Sequence, residues 1–315
     1  MQDQSESSSK PTESSVLPVP SVAASEVNPF HRIAADFAES KLALFGLLLL
    51  ALVLLAALLA PLLSPQNPYD LAQLDILDNR LPPGATSADG KLVYWLGTDD
   101  QGRDMLSAIL YGLRISLGVA VTATLCALTI GMTIGLAAAF FRGRLDTVLM
   151  RIADIQLSFP SILIALILLA VLGQGVGKII VALVAVQWAY YARTVRSAAL
   201  VERSKEYIDA AIGLALPSSR IVFRHLLPNC LPPLIVVATV QVAAAIALEA
   251  TLSFLGLGLP ITEPSLGLLI SNGFTYMLSG KYWISFFPGV ALLVAIVGIN
   301  LVGDQLRDVL NPRLQ

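Results

Sequence analysis

The segment "SKEYIDAAIGLALPSSRIVFRHLLPN", Ser204 to Asn229, is polar and basic, and it is followed directly by a long uncharged run. Tyr207, Ala211 and Leu214 stand at i, i+4 and i+7, which places them on one face of a short helix. Ala210 and Ala211 keep that helix slim, so a groove in a partner could enclose it. Pro217 stops the helix, Ser218 or Ser219 can cap the next one, and Leu227-Pro228 leads into the next apolar run. A short amphipathic helix between apolar runs lies on a lipid surface or docks into another protein. The alanines favour docking, because lipid-seeking faces carry bulkier groups.

The rest of the chain explains why such a segment stands out. Of 315 residues, 56% are hydrophobic and 13% charged, about half the charged share of a soluble domain. The chain reads as an all-α integral membrane protein. A formal net charge of −2 is too close to neutral to suggest a nucleic-acid partner. Residues 1–40 are polar and rich in Ser and Pro, and they are expected to form a disordered cytoplasmic tail. The first apolar run starts at Leu42, too late and too long for a cleaved signal peptide.

A bilayer-spanning helix needs about 20 apolar residues. Uncharged windows place six spans in residues 41–315: from Leu42 to near Pro61, Ile115 to Phe141, Ile155 to Gly177, Ile179 to Ala192, Leu226 to Leu248, and Tyr282 to Gly303. The fourth can extend to Leu200 if Arg193 and Arg196 reach the headgroups. With the N-terminus inside, cytoplasmic segments hold 14 of the 20 basic residues, so both termini are expected in the cytoplasm. Residues 62–105 then form a long extracytoplasmic loop, and residues 201–231 a long basic cytoplasmic one. A third connection, from about Leu257 to Lys281, is external and poor in charge.

The external loop ends in "LGTDDQGRD", Leu96 to Asp104. Its acids do not follow the alternate spacing of a calcium loop. The plain reading is a solvated entry to the second span: Gly97 and Gly102 allow a turn, Thr98 or Asp99 caps the helix, and Asp104 sits near its positive end. "LGQGVGKII", Leu172 to Ile180, lacks the spacing and the Ser/Thr of a phosphate loop and reads as a Gly-rich turn, leaving no visible site for ATP. Gly131, Gly135 and Ala139 give the second span a small-residue packing face. Glu249 is the one acid deep in a span, and it either lines a pathway or pairs locally near the outer interface. Two histidines, His31 and His225, cannot build a zinc cluster, and Cys126 and Cys230 read as ordinary thiols.

These residues resemble a known family. Asp209-Ala210-Ala211 with Leu227-Pro228 is similar to the "EAA" coupling motif, E-A-A-x-x-x-G with a downstream L-P, of ABC-importer permease subunits. "LGTDDQGRD" followed by "YGLRISL", "LSFLGLG" (Leu252 to Gly258) and the closing "FPG…N…GDQLRD…NPRL" resemble the C-type permeases of dipeptide and oligopeptide importers. The likeness runs from about Lys41 to the C-terminus. The chain departs from the pattern at three places: Ala215 stands at the motif glycine, with Gly213 nearby; Gln305 stands for a usual glycine; and "SLG", Ser265 to Gly267, replaces a Trp-Gly pair.

The resemblance implies a type I ABC importer permease fold with six transmembrane helices in a bacterial cytoplasmic (inner) membrane. It also implies a homologous second permease, two cytosolic ABC ATPases, an extracytoplasmic solute-binding protein and the lipid bilayer as partners, with no cofactor in this chain and no catalysis by it. Tyr207, Asp209, Ala210, Ala211, Gly213, Ala215, Leu227 and Pro228 would then couple to the ATPases. Gly97, Thr98, Asp99, Gly102, Arg103 and Asp104 would form the outer gate, through an internal Arg–Asp pair or by contact with the binding protein. The alternatives are an ion-coupled secondary transporter built on Glu249, or an importer of nickel or another small solute. An intramembrane enzyme lacks any nucleophile–base pair.

Overall fold

The structure is a computed structural model that describes residues 29–70 and 73–310. It is a helical bundle. α1 (Pro29–Glu39) leads into α2 (Lys41–Leu58), where Ser40 Oγ accepts from Ala43 N at 3.3 Å and sets the helix start. α3 (Ala60–Leu63) is one more turn, and an excursion outside the bundle follows, with a two-residue hairpin of β1 (Ala85–Thr86) and β2 (Val93–Tyr94). The chain continues as α4 (Met105–Phe141), α5 (Gly143–Leu157), α6 (Ser161–Leu172), α7 (Val176–Arg203) and α8 (Glu206–Gly213). It closes with α9 (Ser218–Arg220), a π turn at Ile221–Leu226, α10 (Leu227–Phe254), α11 (Leu266–Tyr276) and α12 (Trp283–Val309).

The helix at Pro29–Glu39 corrects the expectation of disorder for that part of the tail; residues 1–28 lie outside the described residues. Gln305 Nε2 donates to Asp36 O at 3.4 Å, so the glutamine that replaces a usual glycine ties α12 to this helix.

Among the described residues, four helical stretches are long and apolar enough to cross a membrane: α2, α4, the run Ser218–Phe254 and α12. A fifth crossing exists if α5 and α6 are counted together, and they meet at 89°. The expected third span, Ile155 to Gly177, therefore straddles a break at Ser158–Pro160. The pyrrolidine of Pro160 bars Phe159 from helical backbone, and an uninterrupted apolar window conceals such a corner. α7 has 28 residues, about 42 Å of helix. Its inner arginines pair with α5: Arg196 Nε and Nη2 donate to the two Asp146 oxygens at 2.6 and 2.7 Å, and Arg193 pairs with Asp154. The connection after α10 holds a helix of its own, α11, which buries Leu266, Leu268 and Leu269.

The small face of α4 packs on α7. A Cβ at Gly131 would stand 2.4 Å from Trp188 O, and one at Gly135 2.5 Å from Ala192 O, so the two backbones touch where the glycines sit. Two apolar clusters result. One fills the outer half between α2, α4, α7, α10, α11 and α12. The other, around Tyr191, Val195, Leu226 and Leu234, reaches the inner end and includes Ile208 and Ala211 of α8.

Candidate functional site

The bundle holds two built regions at opposite ends of α4, whose 37 residues span about 55 Å. The outer region is "LGTDDQGRD", and it is not solvated. Thr98 and Asp99 are 0% exposed and Arg103 and Asp104 1%. Asp99 Oδ1 accepts from Gln101 N and Arg103 N at 2.8 and 2.9 Å, and its Oδ2 accepts from Arg103 Nε at 2.6 Å. Gly102 (φ +76°) closes this loop with its Cα against Asp75 O, where a side chain would not fit. Thr98 Oγ1 donates to Asp78 O at 2.5 Å and accepts from Leu81 N at 2.7 Å.

Long-range partners lock the loop to the bundle. Trp283 Nε1 donates to Thr98 O at 3.2 Å, Arg103 Nη1 to Ile261 O at 3.4 Å, and Asp104 N to Gln66 Oε1 at 2.7 Å. Asp104, not Thr98 or Asp99, is the N-cap of α4, accepting from Ser107 N and Oγ at 2.8 and 2.6 Å. Burial pushes the Asp104 carboxyl above its ordinary range against the downward pull of Ser107, and burial raises Asp100 as well. Thr98, Asp99, Arg103 and Asp104 are enclosed by their own chain, and the internal Arg103–Asp99 pair holds the outer cap together.

The inner region is α8. Its buried edge is Ile208 and Ala211, set into the second apolar cluster. The expected stripe of Tyr207, Ala211 and Leu214 is therefore corrected: Ala211 faces the core, while Tyr207 and Leu214 are exposed. The three-residue offset Ile208–Ala211 carries the same helical period from a different starting point. Asp209, Ala210 and Gly213 lie on the exposed side. Tyr207 Oη donates to Glu202 and accepts from Asn229 Nδ2 at 3.1 Å, which clips α8 to α7 and α10.

α8 ends as a Schellman motif, with Ala215 N donating to Ile212 O at 2.9 Å and Leu216 N to Ala211 O at 3.2 Å. The left-handed residue is Ala215, φ +53°, at the place of the family's glycine, and Gly213 does not substitute for it. No serine caps the next helix: its N-cap is Pro217, without a side-chain bond. Leu227 and Pro228 lie inside the continuous run from Ser218 to Phe254, just after the π turn. Pro228 has no N–H to give to Arg224 O, which is where the ordinary helical ladder is interrupted.

Glu249 lies between the two ends, nearer the outer one. It is fully buried and accepts from Ser116 Oγ of α4 and Ser253 Oγ of α10, each at 2.8 Å. It pairs locally. Ser116, Ser253, Gln66 and Ser107 were invisible as site residues in the sequence, because each is an ordinary polar residue whose partner is set by the fold.

The bundle thus carries a clipped-on helix whose outer edge, Asp209, Ala210, Ile212, Gly213 and Leu214, is exposed. Residues 131–315 match the model for the binding-protein-dependent transport system inner membrane component, and residues 28–83 the N-terminal transmembrane domain of oligopeptide transport permease C. A putative peptide transport system permease protein of Brucella suis is 42% identical, covering 86% of this chain and 87% of that one. A di/tripeptide transport system permease protein, DppC, of Pseudomonas aeruginosa is 35% identical (91% and 93%). An oligopeptide transport system permease protein, OppC, of Bacillus subtilis is 38% identical (89% and 88%). Among solved structures, an inward-facing MetNI methionine ABC transporter superposes with a TM-score of 0.53 at 21% identity, over 66% of this chain and 98% of that one. The fold is that of a type I ABC importer permease. The chain belongs to the family of binding-protein-dependent transport system inner membrane components, multi-pass proteins of the inner membrane.

Proposed function

We propose that this chain forms one half of the pore of an ATP-driven importer of short peptides, completed by a homologous second permease. The relatives' names support the peptide cargo. Two cytosolic ATPases supply hydrolysis, and an extracytoplasmic binding protein delivers cargo to the outer end. Both termini lie in the cytoplasm on this reading, as the bias of basic residues requires.

The observation that carries the reading is the two-sidedness of α8. Ile208 and Ala211 are embedded in the bundle while Asp209 and Ala210 are free to enter a partner's groove. When ATP draws the two ATPases together, a docked α8 moves with them. Its embedded edge and the Tyr207 clip pass that movement to α7 and α10, opening the pore outward. The coupling depends on α8 making different contacts in the two states. The buried Asp99–Arg103 loop keeps the outer ends of α4 and α12 in register, so the cap moves as one piece with the gate.

The test is co-purification of ATPase subunits with a tagged chain, alongside uptake of a labelled dipeptide. Asp209→Lys and Ala210→Leu are expected to insert normally and to lose the ATPases and uptake together. Normal recovery of ATPases with both variants would remove α8 as the coupling element. The ion-coupled alternative is not favoured, since Glu249 is enclosed and bonded by serines from two helices.

A further inference from the structure

The outward face of α4 differs from that of α2. α2 exposes Leu42, Leu44, Phe45, Leu48, Leu52 and Leu55, which suits lipid. Along α4, Arg114, Gly118 and Thr122 follow one another at four-residue steps, and Cys126, Thr129 and Thr133 continue the same exposed strip inward. The Thr129 and Thr133 hydroxyls return to Leu125 O and Ile130 O of their own helix, and Val121, Leu125 and Ile130 are exposed beside them, so it is the charge of Arg114 at the outer end that marks this part of the face as meeting water or protein.

The outer end of the strip opens into a recess of about 320 Å³, lined by Tyr69, Tyr111, Arg114, Gly118, Thr122 and Ile180 among others. That volume lies at the lower end of small-ligand sites. Tyr69 and Tyr111 meet edge to face, centroids 5.5 Å apart, and form an aromatic wall. Glu263 is hydrogen-bonded to Tyr69, whose hydroxyl is pushed up to about 12 by burial and by that carboxylate. The recess therefore has a cation on one side, an aromatic wall, and an anion behind it. None of these residues belongs to the outer cap network or to α8.

We infer that this recess is a way-station for the peptide entering the pore, with Arg114 binding its C-terminal carboxylate and the two tyrosines flanking its body. A guanidinium fork matches a carboxylate in two parallel hydrogen bonds. The inference rests on the peptide reading above. An anionic lipid headgroup would offer Arg114 the same charge, and the lipid composition of the vesicles below separates the two sources.

The test uses the assembled transporter in vesicles. Arg114→Gln is expected to lower dipeptide uptake on the order of tenfold, with assembly yield unchanged and partial rescue by Arg114→Lys. Thr122→Cys, made together with Cys126→Ser because Cys126 is a free exposed thiol one turn away on the same strip, supplies a readout that does not depend on the binding protein's own selectivity. It should react several-fold faster with an anionic thiol reagent than with a cationic one. That preference should vanish with Arg114→Gln, and loaded binding protein should slow the labelling. No labelling by either reagent, or a preference indifferent to Arg114, overturns the inference. A preference that follows the vesicles' content of anionic lipid assigns Arg114 to headgroups and also overturns it. Anion-selective labelling in a complex that imports no dipeptide would instead fault the peptide reading.

Discussion

The outer cap and the inner helix are both polar interruptions of an apolar chain, and they are built in opposite ways. At the cap every turn is fixed from several sides: Asp99 accepts three hydrogen bonds, and Gln66, Ile261 and Trp283 reach in from distant segments. α8 is held along one edge and clipped by one tyrosine, and its other side is left exposed. The cap encloses its polar groups and bonds most of them, leaving Asp100 Oδ1 and Arg103 Nη2 without a partner among the described residues, whereas α8 turns Asp209, Ile212 and Leu214 outward, as the proposed docking requires.

The comparison breaks first at the buried ion pair. Asp99→Ala strands a guanidinium that is 1% exposed, and loss of one partner from a buried pair costs about 3–5 kcal/mol. Thermal unfolding of the detergent-purified protein should show this as the largest drop of the series. A loss below about 1 kcal/mol, the level of exposed pairs, would mean the cap is not a closed network. Next in size is Ala211→Leu. The added bulk enters the second apolar cluster, where overpacking costs about 1–3 kcal/mol, and the same melting experiment reads it.

Asp104 gives an effect of about 1 kcal/mol for loss of its cap on mutation to Ala, and less on mutation to Asn, which can still accept from Ser107. Its folded-state carboxyl is raised, chiefly by burial. A raised acid contributes stability that is full below its unfolded value and is lost as pH rises through the folded one. Asp100 shifts in the same direction. The cap should therefore melt higher in mildly acid buffer than at neutral pH, and Asp104→Asn should shrink that difference. An unchanged difference would show that Asp104 does not titrate in this range.

The sequence disclosed what local pattern encodes. Four of the six uncharged windows fall on continuous helical runs, the first overruns the end of α2 at Leu58, and the Gly131–Gly135 face is where α4 meets α7. The DAA segment announced a helix with a stop after it. What it hid depends on distance. Nothing near residue 99 shows that Leu81, Ile261 and Trp283 will close over it, so a buried network read as a solvated turn. The phase of α8 was hidden for the same reason: Ile208 is buried only because Leu226 and Leu234 arrive beneath it. The corner at Ser158–Pro160 was legible in its proline, but the apolar run around it outweighed that signal.

Ala215 offers a gain rather than a loss. An alanine held at φ +53° carries the steric penalty of left-handed backbone, which glycine does not. Ala215→Gly should stabilise the end of α8 by up to about 1 kcal/mol, seen as slower hydrogen exchange at Ala215 N and Leu216 N, the donors that close the motif. Faster exchange there would place the strain elsewhere. On the proposed reading the gain also bears on coupling, because a firmer Schellman turn would give a docked α8 a stiffer lever.

The smallest effect on stability separates the two regions most sharply. Ala210 and Ala211 are neighbours on one short helix, the first exposed and the second buried. The same change, alanine to leucine, should therefore have opposite consequences at the two positions. At Ala210 the added side chain enters solvent, and such surface changes stay within about 0.5 kcal/mol, so melting should match the unmodified protein. Binding of the ATPases should nevertheless fall if the slim edge of α8 enters their groove, as proposed. Ala211→Leu should lower the melting temperature, and any loss of binding there should follow the loss of fold. If both variants melt alike and bind alike, α8 has no distinct inner and outer edge, and the contrast between a closed cap and an open docking helix falls.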